Sequence, residues 1–506
     1  MSTSVGPEDF FGDKYGELLA NSADILAAGA HVAPMTGISQ EVIDQELALN
    51  SLPTITEADD SNISEADIQD RLRISLDLRD YLVDESLLLQ EAFRGPLIFR
   101  SSGRGDAVGV GVYKSELYAP FVPSIEKALA KVVGSYFSDA GRTYRERAQL
   151  EPGFGAFMQP VVGGHINGRH AFLDEASDPL LGPDLFFTPF SGNVRIGTPR
   201  NPNGAMRLQR GLGSAVDVTG APIFDFDDDW YDDEYPPYVM EERAIYETSA
   251  RKQMKSTEDA HLMWSDDRGE WQHDWEYNNP YNPEEDGMTF GALKDRIRTI
   301  HEQIGKPLYL EFAVEPHILG ERLYVIQKAE LKPKTSNELS VESIPKDKIL
   351  LDDIPLEGSA NSTAELSNIV CLTDDYKGDL YDFDQTEEAE GGYVLVYHAQ
   401  STSMSNRIDL TRLKNVKAIV DIETMDWGHS SRGPTDHLIG YSDQLDIPLM
   451  SIFRRNAQHE WQTLNGYNQR TNELDGEHRG KIIVRQGKFQ VVVDPASQKA
   501  LVVKWS

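Results

Sequence analysis

Apolar residues recur three and four positions apart in several stretches of this chain and alternate or bunch in short runs in others, so helices and strands are both expected. A capping pattern at Ser64 and Asp67 opens a long helical stretch carrying Ile68, Leu72, Leu76 and Leu82, and a β-like run, PLIFRSSG, follows it. Over 123–148, Ile125, Leu129, Val132 and Tyr136 keep helical spacing and lead into a strand-like segment, GAFMQPVVGG. A helix at 290–305 (Leu293, Ile297, Ile300, Ile304) precedes two β-like runs, PLYLEFAVEP and ERLYVIQKAEL. Residues 332–368 are polar, rich in Ser, Asp, Glu and Pro, and read as a linker. Beyond them come short strands (NIVCLTD, GYVLVYHA, VKAIVDI), a short helix starting at His437 with Leu438, Tyr441 and Leu445 on its buried face, and a terminal pair, GKIIVRQGKFQVVVD and ALVVKWS. The pattern predicts a mixed α/β (α+β) chain with a second compact domain after the linker.

Composition narrows the function classes. The 506 residues carry 48 Lys+Arg against 83 Asp+Glu, a net charge of −35, which argues against nucleic-acid and anionic-membrane partners, since both need clustered cations. With 40% apolar residues the chain can build real cores, so wholesale disorder is not expected. The N-terminal MSTSVGPEDFFGDKYG is acidic where a secretory signal would be basic, and no run approaches the roughly 18 apolar residues of a membrane span. A soluble cytoplasmic protein is therefore expected. The single cysteine, Cys371, is expected to be a small buried hydrophobe. In such a compartment the sequons at Asn62 and Asn361 lose their meaning, and the Arg104-Gly105-Asp106 tripeptide reads as coincidental. Between 225 and 285 the chain turns acidic and aromatic, and the interleaved Trp and Tyr there are expected to pack on something.

Four separated elements make chemical sense together. In FFGDKYGELL, Lys14 follows a glycine at the start of a helical run and offers a point charge to a phosphate. In FRSSGRGDAVGVGVYKS, Arg100 ends a strand, and glycines including Gly109 and Gly111 would let backbone N–H groups approach a polyphosphate. Glu311 and Gln327, on adjacent strands and one face, would offer hard oxygen ligands to magnesium. In WGHSSRGPTDHLIGYSDQLDIPLM, His437 opens a short helix, where N–H groups and the helix dipole favour an anion.

In this order the elements resemble the phosphoenolpyruvate synthase and pyruvate phosphate dikinase family, whose chains join an ATP-grasp nucleotide domain to a swivelling phosphohistidine domain. The matching pieces are FGDKYGELL, IFRSSGRGD, SYFSDAGRTYRERA, FMQPVVGG, RGLGSAVDVTG, IHEQIGKPLYLEFA, RLYVIQKA and PTDHLIGYSDQLDIPLM. The resemblance implies an ATP-grasp domain over 1–335 with an acidic aromatic insert at 225–285, a linker at 336–365, and a swivelling β/β/α domain over 366–506. It further implies that Lys14, Arg100, Gly109, Gly111 and Gln159 bind ATP, that Glu311 and Gln327 hold Mg2+, and that His437 is the phosphorylated carrier. Such a chain would be an ATP-dependent phosphotransferase, or a subunit of one, moving a phosphoryl group from ATP to the histidine and then to an acceptor.

Departures from the family pattern open an alternative. The aspartate two positions before the metal glutamate is Tyr309, the Arg-Pro after the glutamine is Lys328-Ala329, and the residue before the carrier histidine is Asp436. A carboxylate beside the carrier repels an incoming phosphoryl group unless a cation intervenes. A degenerate member that binds nucleotide and serves in regulation or assembly is the alternative reading. The stretch after His437 is too short for the family's (β/α)8 substrate barrel of roughly 250 residues. The acceptor is accordingly expected to be bound by a partner subunit, by the acidic insert, or by an element not recognised in the sequence.

Overall fold

The computed structural model describes residues 10–93, 97–106, 112–118, 122–165, 185–188, 190–197, 203–210, 223–225, 261–265, 270–274, 290–315, 322–331, 344–357, 361–372, 379–399, 410–423, 445–453, 458–468, 473–474, 477–479, 482–494 and 499–505. The architecture is mixed α+β, and the chain divides into two compact units, one made of Met1–Ile196, Asn203–Tyr246 and Ala250–Glu330 and one made of Leu331–Ser506 with the short segments Gly197–Pro202 and Glu247–Ser249.

In the first unit, a six-stranded sheet runs in the order β1 (His31–Val32), β14 (Arg322–Glu330), β13 (Leu308–Glu315), β8 (Phe190–Ile196), β9 (Ala205–Arg210), β10 (Ile223–Asp225). A four-stranded sheet runs β2 (Thr36–Ile38), β5 (Phe154–Pro160), β3 (Leu97–Gly103), β4 (Glu116–Tyr118), and a further one runs β12 (Glu270–Asp274), β11 (His261–Ser265), β7 (Leu185–Phe187), β6 (Gly164–His165). Strand alternation gives the six-stranded sheet two different partners. Leu308, Leu310, Phe312, Leu323 and Val325 point to one face and pack with helices α1 (Asp13–Ala20), α2 (Ser22–Ala27) and α8 (Phe290–Ile304) through Leu18, Ile25, Leu293, Ile297 and Ile300. Ala313, Tyr324 and Ile326 point to the other face and pack with Ile98, Val161 and Val162, so β3 and the end of β5 cover it. Burial on both faces explains why β13 and β14 read as nearly continuous apolar runs.

Two expected helices are each broken in two. The stretch opened at Ser64 forms α4 (Glu65–Arg71) and α5 (Leu76–Phe93), with Leu72 extended between them. The break follows from Glu46 on α3 (Gln40–Leu49), a buried carboxylate that accepts from Ser75 N–H at 2.7 Å and Ser75 Oγ at 2.6 Å. Ser75 Oγ in turn accepts from Leu78 N–H at 3.3 Å and caps α5. Likewise 123–148 forms α6 (Val122–Tyr136) and α7 (Asp139–Ala148), because Ser138 Oγ accepts from Gly141 N–H and starts a new helix. The capping box at Ser64 and Asp67 forms as expected.

In the second unit an eight-stranded sheet runs β16 (Leu366–Leu372), β17 (Tyr393–Ala399), β18 (Val416–Glu423), β19 (Leu449–Phe453), β15 (Ile349–Glu357), β24 (Lys499–Lys504), β23 (Ile482–Asp494), β22 (Glu477–Arg479). Strands β16 to β19 are parallel, and β23 also pairs with β16, which closes the ring. Helices α9 (Asp379–Asp384) and α10 (Gln458–Asn465) and a strand pair, β20 (Tyr467–Asn468) with β21 (Glu473–Leu474), complete it. Cys371 lies in the core of this unit, fully buried, with Ile369, Val394 and Val420. Strand β15 corrects the linker expected at 336–365. Its register against β24 shifts twice and Asp353 takes φ +56°, so its apolar residues do not alternate cleanly and the run reads as polar loop.

No described helix is long and apolar enough to cross a membrane. Of the acidic stretch, Asp225, His261–Ser265 and Glu270–Asp274 are described; the remainder, together with Gly109, Gly111 and His437, lies outside the described residues.

Candidate functional site

Construction of the site begins at Gly12. It takes φ +85°, and a Cβ there would stand 1.6 Å from Ser102 O, so only glycine lets the chain enter α1 in contact with β3. Tyr15 N–H then donates to Ser102 Oγ at 3.1 Å and holds the first turn of α1 beside that strand. Lys14, in this turn, is buried, and its Nζ lies 3.0 Å from Asp106 Oδ2.

Asp106 belongs to a turn pinned from several sides. Gly105 N–H donates to Asp13 Oδ2 at 2.7 Å, Tyr144 Oη donates to Gly105 O at 2.8 Å, and Ser101 Oγ donates to Asp106 Oδ2 at 3.1 Å. Burial pushes the Asp106 carboxyl above the usual range, with the Lys14 ammonium pulling the other way. Its Oδ1 has no hydrogen-bond partner among the described residues. Asp106 is therefore the residue that holds Lys14 beside the end of β3.

Arg100 joins the two sheets. On β3, Ile98 and Arg100 share the face turned to the six-stranded sheet, and Arg100, 4% exposed, reaches across it. Its Nη1 donates to Ile326 O at 2.6 Å, while Nη2 donates to Glu311 Oε2 at 2.9 Å and to Gln327 Oε1 at 2.8 Å. A β-bulge makes this possible. Glu311 pairs with Gln327 and the next pair is Phe312 with Val325, leaving Ile326 as the extra residue. The bulge sets Gln327 beside Glu311 on one face and turns the Ile326 carbonyl toward Arg100.

Polar residues extend along this face. Asn193 lies opposite Glu311 on β8, and Arg195 lies opposite Tyr309 with its guanidinium carbon 5.4 Å from the ring centroid. Tyr309 Oη donates to Glu311 Oε1 at 3.0 Å. From the facing sheet comes Gln159, paired with Ile98 on β3 and so on the same face as Arg100. Gln159 is 1% exposed, and its Nε2 has no acceptor among the described residues; the same holds for Arg100 Nε. Both donors are on the face of their sheet that is turned to the six-stranded sheet.

The oxygens of Glu311 and Gln327 converge on one point, now filled by Arg100 Nη2, and a hard divalent cation suits such a pair. Among the described residues no three His, Cys, Asp or Glu gather around a common point. Magnesium at polyphosphate sites uses one or two carboxylates with phosphate oxygens and water, so the donor set fits that ion.

Compared with known proteins, the chain matches no protein-family model and no curated protein sequence.

Of the residues expected in the site, Arg100 is in direct contact with Glu311 and Gln327, Gln159 is on the same sheet face as Arg100, and Lys14, in the first turn of α1, is held by Asp106 of the turn after β3. Sequence reasoning missed Asp106, Asn193 and Arg195. The alternation Ser191-Gly192-Asn193-Val194-Arg195-Ile196 was a usable signal: its polar members line one face and Val194 and Ile196 enter the core on the other. Lys328, by contrast, points away from this face. It pairs with Leu310 across the strands and its Nζ meets Glu17 Oε2 at 2.6 Å, on the helical side.

Proposed function

We propose that the first unit is an ATP-grasp-type nucleotide domain and that the protein is an ATP- and magnesium-dependent phosphotransferase, with His437 as the carrier in a swivelling β/β/α domain. The observation that carries the reading is the Arg100 bridge, a buried guanidinium held between two sheets against paired oxygen ligands. A nucleotide between the sheets would meet Arg100 and Lys14 with its phosphates and Gln159 Nε2, which has no acceptor among the described residues, with an acceptor atom. Glu311 and Gln327 would hold magnesium. The ion, when bound, neutralises charge on the transferred phosphoryl group and on its leaving oxygens.

The carrier step needs no activating base. A neutral imidazole nitrogen of His437 attacks phosphorus while the bond to the leaving phosphate oxygen breaks, and that oxygen departs with the electron pair. The acceptor then takes the phosphoryl group from the histidine, on this chain or on a partner subunit carrying the substrate domain. The setting in this proposal is the cytoplasm, with no nucleic acid or membrane partner.

Calorimetry with ATP and Mg2+ tests the nucleotide half. Wild type binds, and Lys14→Met and Glu311→Gln each lose about tenfold or more in affinity; equal affinity in all three removes the reading. A second reading, nucleotide binding without transfer, is favoured by Tyr309. Its hydroxyl occupies the Glu311 oxygen that Arg100 leaves free. Binding without any label on the protein selects it.

A further inference from the structure

We propose that Arg100 is the resident counter-ion of the Glu311–Gln327 cation position, so that a divalent metal ion alone is excluded and enters only with a polyphosphate that draws Arg100 away. The proposal rests on the nucleotide reading for the identity of the anion; the exclusion of free metal does not.

The geometry is one of substitution. Arg100 Nη2 stands 2.9 Å from Glu311 Oε2 and 2.8 Å from Gln327 Oε1. A magnesium ion bound by the same two oxygens would sit about 2.0–2.1 Å from each, inside the volume that Nη2 occupies. Guanidinium and metal cannot share this position, sterically or electrostatically. Arg100 is 4% exposed, so water does little to screen two cations brought together there.

Charge balance gives the same answer. Arg100 pairs with the half-buried Glu311, and Lys14 with the buried Asp106, each a cation against a carboxylate. Adding a divalent cation alone brings two further positive charges to a face that already carries Arg100 and Arg195. A polyphosphate alone must either face the Glu311 carboxylate or strip it of Arg100 and leave it without a cation, held only by the Tyr309 hydroxyl. Arriving together, the two exchange partners: phosphate oxygens replace Glu311 at Arg100, and the metal replaces Arg100 at Glu311 and Gln327. Arg100 retains a donor for that anion, since its Nε has no acceptor among the described residues. Its Nη1 bond to Ile326 O supplies a pivot that the exchange need not break. By linkage, metal and anion then raise each other's affinity by the same factor.

The test is a titration of the full chain with Mn2+ alone, read from the free-ion EPR signal. Because an acidic surface binds Mn2+ elsewhere, the relevant signal is the part removed by Glu311→Gln. Wild type is expected to show none of this Glu311-dependent binding, and Arg100→Met to gain it, with an affinity about tenfold or more above the detection limit set by wild type. Equal Glu311-dependent binding of Mn2+ by wild type and Arg100→Met overturns the proposal. Should Arg100→Met fail to fold by circular dichroism, wild type decides through Mn2+ affinity with and without a non-hydrolysable ATP analogue. An increase of about tenfold or more on adding the analogue, over the increase seen with Glu311→Gln and the same analogue, supports the proposal; no increase over that variant overturns it. If Arg100→Met gains Mn2+ but the analogue never binds, the exclusion of metal stands and the nucleotide reading falls.

Discussion

The guanidinium of Arg100 lies 2.9 Å from the carboxylate of Glu311, although 211 residues separate them in the chain. One strand of each sheet is thereby fixed against the other at the place where the polar residues of both converge. Removing Glu311 leaves a buried cation unpaired, so Glu311→Ala is expected to destabilise the first unit by about 3–5 kcal/mol. Glu311→Gln, which keeps an acceptor, costs less. Urea unfolding of both variants checks this, and similar losses for the two contradict it.

The Lys14–Asp106 pair is expected to behave as a coupled buried pair. Asp106→Ala strands the Lys14 ammonium and costs about 3–5 kcal/mol, while the double change Lys14→Met with Asp106→Leu costs clearly less than the two single changes added together. Additivity across the double-mutant cycle contradicts the pairing.

Acid should favour this pair's carboxyl in the native state. Burial raises the Asp106 pKa above its ordinary value of 3.8, so the native state binds the proton more tightly than the unfolded chain. The stability this contributes is complete below 3.8 and is lost as pH rises through the higher native value. Measured against Asp106→Asn, wild type therefore gains stability as pH falls through that window. A difference that grows in the opposite direction contradicts the assignment of burial as the dominant cause.

Gly12 and Gly16 lie on one short segment and are expected to respond oppositely. A Cβ at Gly12 collides with Ser102 O at 1.6 Å from a φ of +85°, whereas at Gly16 nothing lies within 4 Å. Gly12→Ala should cost more than about 1 kcal/mol and weaken ATP binding by displacing Lys14. Gly16→Ala should be neutral or stabilise by up to about 1 kcal/mol. Thermal unfolding with parallel calorimetry distinguishes the two.

Cys371 offers a probe of the second unit. Burial in the core pushes its thiol well above the usual range, so a thiol reagent at mildly alkaline pH should react only at the rate of unfolding and stoichiometrically in denaturant. Immediate reaction in the native protein contradicts the packing described.

Much of this was legible in the sequence, and the failures have identifiable causes. The runs holding Arg100, Gln159, Glu311 and Gln327 read as strands because burial on both faces made them nearly continuous apolar segments. That Arg100 would bond to both Glu311 and Gln327 was not legible, since it depends on a bulge at Ile326 and on the stacking of two sheets. The helix breaks were hidden for a similar reason: Glu46, far along the chain, supplies the partner that makes Ser75 a cap. Asp106 escaped notice because its role comes from burial beside Lys14, and a Gly-flanked aspartate at a strand end ordinarily signals only a turn.

The central claim is that a phosphoryl group passes from ATP to His437. Incubating the full chain with γ- and β-labelled ATP and Mg2+ tests it most directly. The account predicts label on the wild-type protein that is acid-labile and base-stable and absent from His437→Ala. No label from either position on wild type, or equal labelling of His437→Ala, contradicts it.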